Sequence, residues 1–176
     1  MDSVLTADLT GGQRAAVRRL LDVAFDGEFS DEDWEHSLGG VHFMVIEEGV
    51  PVAHASVVQR RFLHDGRSLR CGYVEAVAVH PERQRRGLGA AVMSRAERVI
   101  DGGYQLGALS ASGAGRALYL ARGWTPWQGA TAVLAPEGVV RTEEDDDSTF
   151  VREVPGGVPL RHTATLICDW RDGDVW

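Results

Sequence analysis

The stretch Cys71-Gly-Tyr-Val-Glu-Ala-Val-Ala-Val-His-Pro-Glu-Arg-Gln-Arg-Arg-Gly-Leu-Gly-Ala-Ala-Val-Met93 constrains the fold more than any other part of the chain. Tyr73 to His80 is a valine-rich apolar run closed by Pro81, which reads as a strand buried on both faces. Leu88, Val92, Ala96 and Val99 then recur at three- and four-residue spacing. That spacing predicts a helix from Gly87 to about Asp101 with one face toward a core, and with Arg95, Glu97 and Arg98 on the rest of its surface. Between strand and helix lies Gln84-Arg-Arg-Gly-Leu-Gly-Ala90, a turn at the positive end of the helix dipole whose backbone N–H groups face outward. A plain basic turn would carry the same two glycines. The strand before it, the long helix after it and the arginines beside it favour a seat for phosphate.

The rest of the chain builds a sheet around this unit. Val4 to Leu9 reads as a short strand, and Thr10 offers a hydroxyl cap to a helix from about Gly12 to Phe25, with Val17, Leu20, Leu21 and Ala24 on one face. Ser30 or Asp31 caps a short second helix within an acidic segment, where the helix dipole by itself explains most of the carboxylates. His42 to Glu47 and Pro51 to Leu63 read as strands joined at Glu48-Gly49, and His64-Asp-Gly-Arg67 turns into the next. These should pair as an antiparallel meander. After the long helix, Tyr104 to Leu109 reads as a strand parallel to Tyr73–His80, because strand, crossover helix and strand form a right-handed unit. Ser110 to Gly123 reads as a helix with Ser112 as N-cap and Gly123 just past its end. Trp124 to Leu134, Phe150-Val151 and Thr163 to Cys168 complete the strands. Arg141 to Ser148, with the run Glu143-Glu-Asp-Asp-Asp147, reads as a mobile polar loop, and the tail should dock through Trp170 and Trp176. The fold class is α/β (α+β), a mixed central sheet with flanking helices in one domain spanning residues 1–176.

Composition narrows the function classes. The chain has 176 residues, 44% of them hydrophobic, with no run of membrane-spanning length and no leader-like N-terminus. A cytoplasmic protein is the expectation. All 18 basic residues are arginine, against 26 acidic ones, for a formal charge of −8. That balance disfavours nucleic acid and suits a cationic substrate. Cys71 and Cys168 have no CxxC spacing and read as reduced core thiols, and the six histidines show no pairwise metal spacing, so no metal is expected. Ser110 and Ser112 lack a nucleophile elbow.

Glu75 stands alone among valines and alanines. A carboxylate in a buried strand costs on the order of a few kcal/mol without a partner or a wet cleft, and desolvation would raise its pKa toward that of a useful base. A buried Glu–Arg pair is the structural alternative.

The pattern Gln84-x-x-Gly87-x-Gly89 after Ala-Val-His-Pro resembles the acetyl-coenzyme A signature of the GCN5-related N-acetyltransferases, and Leu118-Tyr-x-x-x-Gly-Trp124 resembles the helix end of the same superfamily. Further stretches are similar to the aminoglycoside 2′-N-acetyltransferases. They are Asp33-Trp-Glu-His-Ser-Leu-Gly-Gly40, Gln59-Arg-Arg61, Leu69-Arg-Cys-Gly-Tyr-Val-Glu75, Tyr104-Gln-Leu-Gly-Ala-Leu-Ser110, Arg122-Gly-Trp-x-Pro-Trp127, Val133-Leu-Ala-Pro136 and Cys168-Asp-Trp-Arg-x-Gly-Asp-Val-Trp176. The resemblance implies a single N-acetyltransferase domain that moves an acetyl group from acetyl-coenzyme A to the 2′-amine of an aminoglycoside in a ternary complex. It implies coenzyme contacts from the backbone of Val77, Ala78 and Val79 and from Gln84, Arg85, Arg86, Gly87, Leu88 and Gly89. It places substrate contacts at Glu28, Asp33, Glu75, Ala76, Ser110, Asp145, Asp174 and Trp176, with Glu28 where the family commonly has aspartate. Catalytic roles fall to Glu75 as base, Tyr119 as the acid protonating the thiolate, and the terminal carboxylate of Trp176 as an orienting group. A homodimer is also implied. An acetyltransferase for a polyamine, a cell-wall amino sugar or a protein N-terminus stays open, as does a non-catalytic binder of a cationic drug or acetyl-coenzyme A.

Overall fold

The computed structural model describes residues 2–176. Ten strands and four α-helices form among the described residues, and the strands make a mixed sheet, as expected. The chain divides into two compact units. One is the chain through Val58 together with Val74–Arg98, and the other is Gln59–Tyr73 with Val99–Trp176.

In the first unit β1 (Asp2–Leu5) runs antiparallel to β2 (Val41–Glu47), and β2 antiparallel to the first part of β3 (Val50–His64). The β2–β3 turn places Glu48 at φ 51° and Gly49 at φ 80°, the left-handed pair that matches the twist of a two-residue hairpin. β1 ends at Leu5 instead of Leu9. Thr6 Oγ1 accepts from the N–H groups of Gly39 and Gly40 at 3.0 and 3.2 Å, and the chain winds into a 3₁₀ turn over Thr6–Asp8 that delivers Leu9 to the core.

Two capping boxes start the helices that the sequence marks. Thr10 caps α1 (Gly11–Ala24) through Gln13, and Ser30 caps α2 (Asp31–His36) through Asp33. α1 buries Val17, Leu20 and Leu21 in a cluster with Leu9, Phe29, Met44 and Ala78, with Trp34 and Ala76 packed against it. β4 (Arg67–Val79) contributes its second part to this unit, as does α3 (Leu88–Gly103) up to Arg98. The inward stripe of α3 is Val92, Met93, Ala96 and Ile100, whereas Leu88 and Val99 are only half-buried. The expected stripe is thus rotated toward the side carrying Glu97, which is 7% exposed and not on the open surface.

In the second unit the strand order is β6-β9-β5-β4-β3-β10-β7-β8, with β5 (Leu106–Ser110), β6 (Thr125–Pro126), β7 (Thr131–Ala135), β8 (Gly138–Arg141), β9 (Thr149–Glu153) and β10 (Leu166–Asp169). β4 pairs β5 in parallel over Cys71–Tyr73 and Leu106–Ala108, which is the βαβ unit read from sequence. The expected strand Trp124–Leu134 is two strands. Between them the chain passes so close to Ala164 that a Cβ on Gly129 would lie 2.0 Å from its carbonyl oxygen. α4 (Arg116–Ala121) begins later than predicted. Its N-cap is Gly115, and Ser112 instead offers its carbonyl to the N–H groups of Gly115 and Arg116. Gly123, at φ 80°, ends it as predicted.

Candidate active site

In the first unit β4 departs from regular strand geometry at Ala76, whose φ is 51°. An L-residue in that region gives up about 1–2 kcal/mol, so the surroundings must hold it. His54 does so: its Nδ1 lies 2.8 Å from the Ala76 carbonyl oxygen. Behind it His54 Nε2 lies 3.0 Å from His42 Nδ1, and His42 Nε2 lies 2.8 Å from Thr6 Oγ1. Both rings are fully buried, and that burial lowers His54 to about 3 and His42 to about 4, so both are neutral.

Glu75 sits immediately before this left-handed residue. It is half-buried rather than sealed in a core, and its carbonyl accepts from Ser56 Oγ at 3.4 Å. Ala78 is buried in the core cluster, while Val77 and Val79 are half-buried. Phe29 and Trp34 belong to the same cluster as Ala76 and Ala78, which ties the acidic segment to β4. Glu28 is exposed there. Asp33 spends one carboxylate oxygen on the Ser30 N–H at 3.0 Å, so the dipole reading of that residue is realised.

The turn after β4 is open to solvent from Gln84 through Gly87. Arg85 at φ 61° and Gly87 at φ 79° are both left-handed, and the first helical bond of α3 runs from Ala91 N to Gly87 O. The N–H groups of Leu88, Gly89 and Ala90 precede that bond and therefore have no partner within the helix. Gln84 Nε2 reaches back to Val79 O at 3.4 Å, joining the turn to the strand. The arrangement suits an anion, because the donors and the dipole point the same way.

In the second unit Ser110, Asp145, Asp174 and Trp176 form one connected group. Ser110 Oγ donates to Ser148 Oγ at 3.0 Å, and Ser148 Oγ donates to Asp145 O at 3.1 Å. Asp145 is raised to about 6, first by burial and then by the charge of Asp174. Asp174 Oδ1 accepts from Trp176 N at 3.1 Å. Trp176 is 3% exposed; its ring meets Phe62 edge-on at 5.3 Å, and its Nε1 donates to Thr142 Oγ1 at 2.9 Å. Tyr119 is buried at 6% between Trp124 and Phe150. The acidic run is not a bare loop: it winds into a 3₁₀ turn over Glu143–Asp145 and is bonded to β7. Asp146 accepts from Thr131 N at 2.9 Å and pairs with Arg141, which brings it down to about 2. Trp170 is exposed, so of the two aromatic residues of the tail Trp176 is the one that docks.

Sequence reasoning missed two groups. The Thr6–His42–His54 chain carries no spacing signal. Arg60, 4% exposed, donates to Asp169 Oδ1, Asp169 O and Val175 O at 2.7, 2.7 and 2.8 Å, and its only mark in the sequence is its place in Gln59-Arg-Arg61. Cys71 and Cys168 are buried free thiols. No cluster of three or more His, Cys, Asp or Glu side chains arranged for a metal occurs among the described residues, and no helix among them is long and apolar enough to cross a membrane.

The mixed sheet with its flanking helices agrees with what sequence comparison finds: the chain belongs to the Acetyltransferase (GNAT) family, whose profile matches residues 14–124. It is 55% identical over 175 residues, 98% of this chain and 90% of the relative, to the aminoglycoside 2′-N-acetyltransferase of Mycolicibacterium fortuitum. Among solved structures, a GNAT family acetyltransferase from Brucella melitensis in complex with acetyl-CoA aligns with a TM-score of 0.59 at 14% identity, over 90% of this chain and 91% of that one. Escherichia coli ElaA aligns with a TM-score of 0.60 at 17% identity, over 86% and 97%. Eis1 of Mycobacterium abscessus aligns with a TM-score of 0.60 at 20% identity over 74% of this chain, which spans 32% of that longer protein. At these identities the structural likeness is one of fold.

Proposed function

We propose that this chain transfers an acetyl group from acetyl-coenzyme A to the 2′-amine of an aminoglycoside, with residues 1–176 working as one N-acetyltransferase domain. The observation that carries the reading is the 55% identity, across nearly the whole chain, to a relative of that activity. The chemistry of the residues supports it. An aminoglycoside is a polycation, and Glu28, Asp33, Asp145 and Asp174 supply carboxylates to hold it, with Ser110 and Ala76 as neutral contacts. An ammonium has no free electron pair, so the reacting nitrogen must first lose a proton to Glu75, directly or through water. The nitrogen then bonds to the acetyl carbon while the carbon–sulfur bond breaks, Tyr119 protonates the departing thiolate, and the proton shed by the acylated nitrogen restores the Tyr119 hydroxyl. Backbone donors at Val77 and Val79 polarise the thioester carbonyl, the turn Gln84–Gly89 seats the pyrophosphate, and Trp176 orients the amine. Antibiotic inactivation follows as the biological outcome, in a cytoplasmic homodimer.

The test measures coenzyme A thiol release from acetyl-coenzyme A with two aminoglycosides, one bearing a 2′-amine and one a 2′-hydroxyl. Release with the amine alone is expected. Release with both moves the acetylated position. Release with neither overturns the aminoglycoside reading in favour of another amine or a non-catalytic binder.

A further inference from the structure

We propose that His54, backed by His42 and Thr6, is a positioning residue that holds the Ala76–Val77 peptide so that the Val77 N–H faces acetyl-coenzyme A. The inference rests on the reading that the backbone of Val77 contacts the coenzyme, and it adds the group that orients that backbone.

The polarity of the chain follows from one end. A carbonyl oxygen only accepts, so His54 Nδ1, 2.8 Å from Ala76 O, must carry the hydrogen. A neutral imidazole has one hydrogen, which makes His54 Nε2 an acceptor. His42 Nδ1, 3.0 Å away, must then donate, and His42 Nε2 becomes an acceptor for the Thr6 hydroxyl at 2.8 Å. Thr6 in turn accepts from the N–H groups of Gly39 and Gly40. Every hydrogen along this path therefore points toward β4, and both rings take the Nδ1–H form, opposite to the form that dominates for free histidine in water. The burial that keeps both rings uncharged keeps that order intact across the working pH range.

The path ends at a peptide that needs holding. No cis peptide bond occurs among the described residues, so in the Ala76–Val77 unit the carbonyl and the N–H point in opposite directions. Fixing the Ala76 carbonyl on His54 fixes the Val77 N–H on the other side of the strand. The left-handed φ of Ala76 would otherwise relax toward an ordinary strand conformation, turning that peptide and withdrawing the donor. Glu75 immediately precedes Ala76, so its backbone direction depends on the same bond.

Two measurements test this. Nitrogen-15 shifts of the imidazoles in the unaltered chain should report Nδ1–H at both His42 and His54, and Nε2–H at His54 would overturn the proposal. Acetyl-coenzyme A affinity by calorimetry is then compared across His54→Leu, which removes the donor, and His54→Asn, whose amide nitrogen takes the place of Nδ1. Both variants should lose similar thermal stability. The dissociation constant should rise about tenfold or more in His54→Leu and stay within about threefold in His54→Asn. Equal weakening in both, or none in either, overturns the positioning role. If the unaltered chain binds acetyl-coenzyme A with the expected variant pattern yet acetylates no aminoglycoside, positioning is supported and only the acceptor reading falls. If the unaltered chain does not bind acetyl-coenzyme A, the coenzyme reading and this inference fall together.

Discussion

Glu75 and Asp145 are both carboxylates in the proposed reaction, but they answer to different measurements. Glu75→Gln keeps shape and removes the proton acceptor, so kcat should fall about a hundredfold or more while acetyl-coenzyme A affinity holds. Equal loss of both would remove the base assignment. Asp145 is a matter of pH. Its folded value of about 6 lies above the ordinary 3.8, so the native chain holds this proton more tightly than the unfolded one. Its contribution to stability is therefore greatest below about pH 4 and is lost as pH rises toward about 6. Asp145→Asn should raise the melting temperature at pH 7 with no gain at pH 4. It should also raise KM for the amine and abolish an acid limb near pH 6 in kcat/KM; persistence of that limb would assign it elsewhere. Glu75 was legible because a lone carboxylate in a valine run is conspicuous. His54 was not, because its partners lie 12 and 22 positions away and a single histidine in a strand leaves no periodic trace.

At the level of elements, short-range chemistry was legible and long-range pairing was not. Thr10 and Ser30 were readable as caps because a capping box is closed within four residues. The β10 boundary and the break between β6 and β7 were not. They depend on Trp127 donating its backbone N–H to Thr149 O and its Nε1 to Ala164 O, and on the close passage at Gly129. Ser30→Ala should cost about 1 kcal/mol in urea unfolding. It should also raise the amine KM, because the Asp33 backbone N–H loses its acceptor Ser30 Oγ and the first turn that carries the Asp33 carboxylate loosens; an unchanged KM would detach Asp33 from the substrate. Arg60→Met should cost about 2 kcal/mol or more, since it removes the donors to Asp169 Oδ1, Asp169 O and Val175 O and leaves the Val175 carbonyl to the weak donor Cys168 Sγ at 3.3 Å. Loosening of the Trp176 environment, read by its fluorescence, should accompany that loss.

Across the whole molecule, the formal charge of −8 acts on the two substrates in opposite senses. Raising salt from about 10 mM to about 500 mM should increase KM for a polycationic aminoglycoside severalfold, while the anionic coenzyme gains from the same screening. A flat amine KM would argue against electrostatic capture. The sequence suggests a single domain because no linker interrupts it. The two compact units are nevertheless each assembled from separated segments, with the chain crossing between them after Val58, after Tyr73 and after Arg98. Neither unit is a contiguous stretch, so no boundary could have been read along the chain.

The two cysteines lend themselves to an experimental use. Both are sealed in the interior, where burial pushes the Cys71 thiol far up and Cys168 to about 11, so neither offers a thiolate at neutral pH. A disulfide reagent added to follow the released coenzyme should therefore meet no competing sulfur from the enzyme, and turnover can be recorded without a protein blank. Left with the enzyme and no substrate, the same reagent becomes a clock: each labelled cysteine records one occasion on which the interior opened.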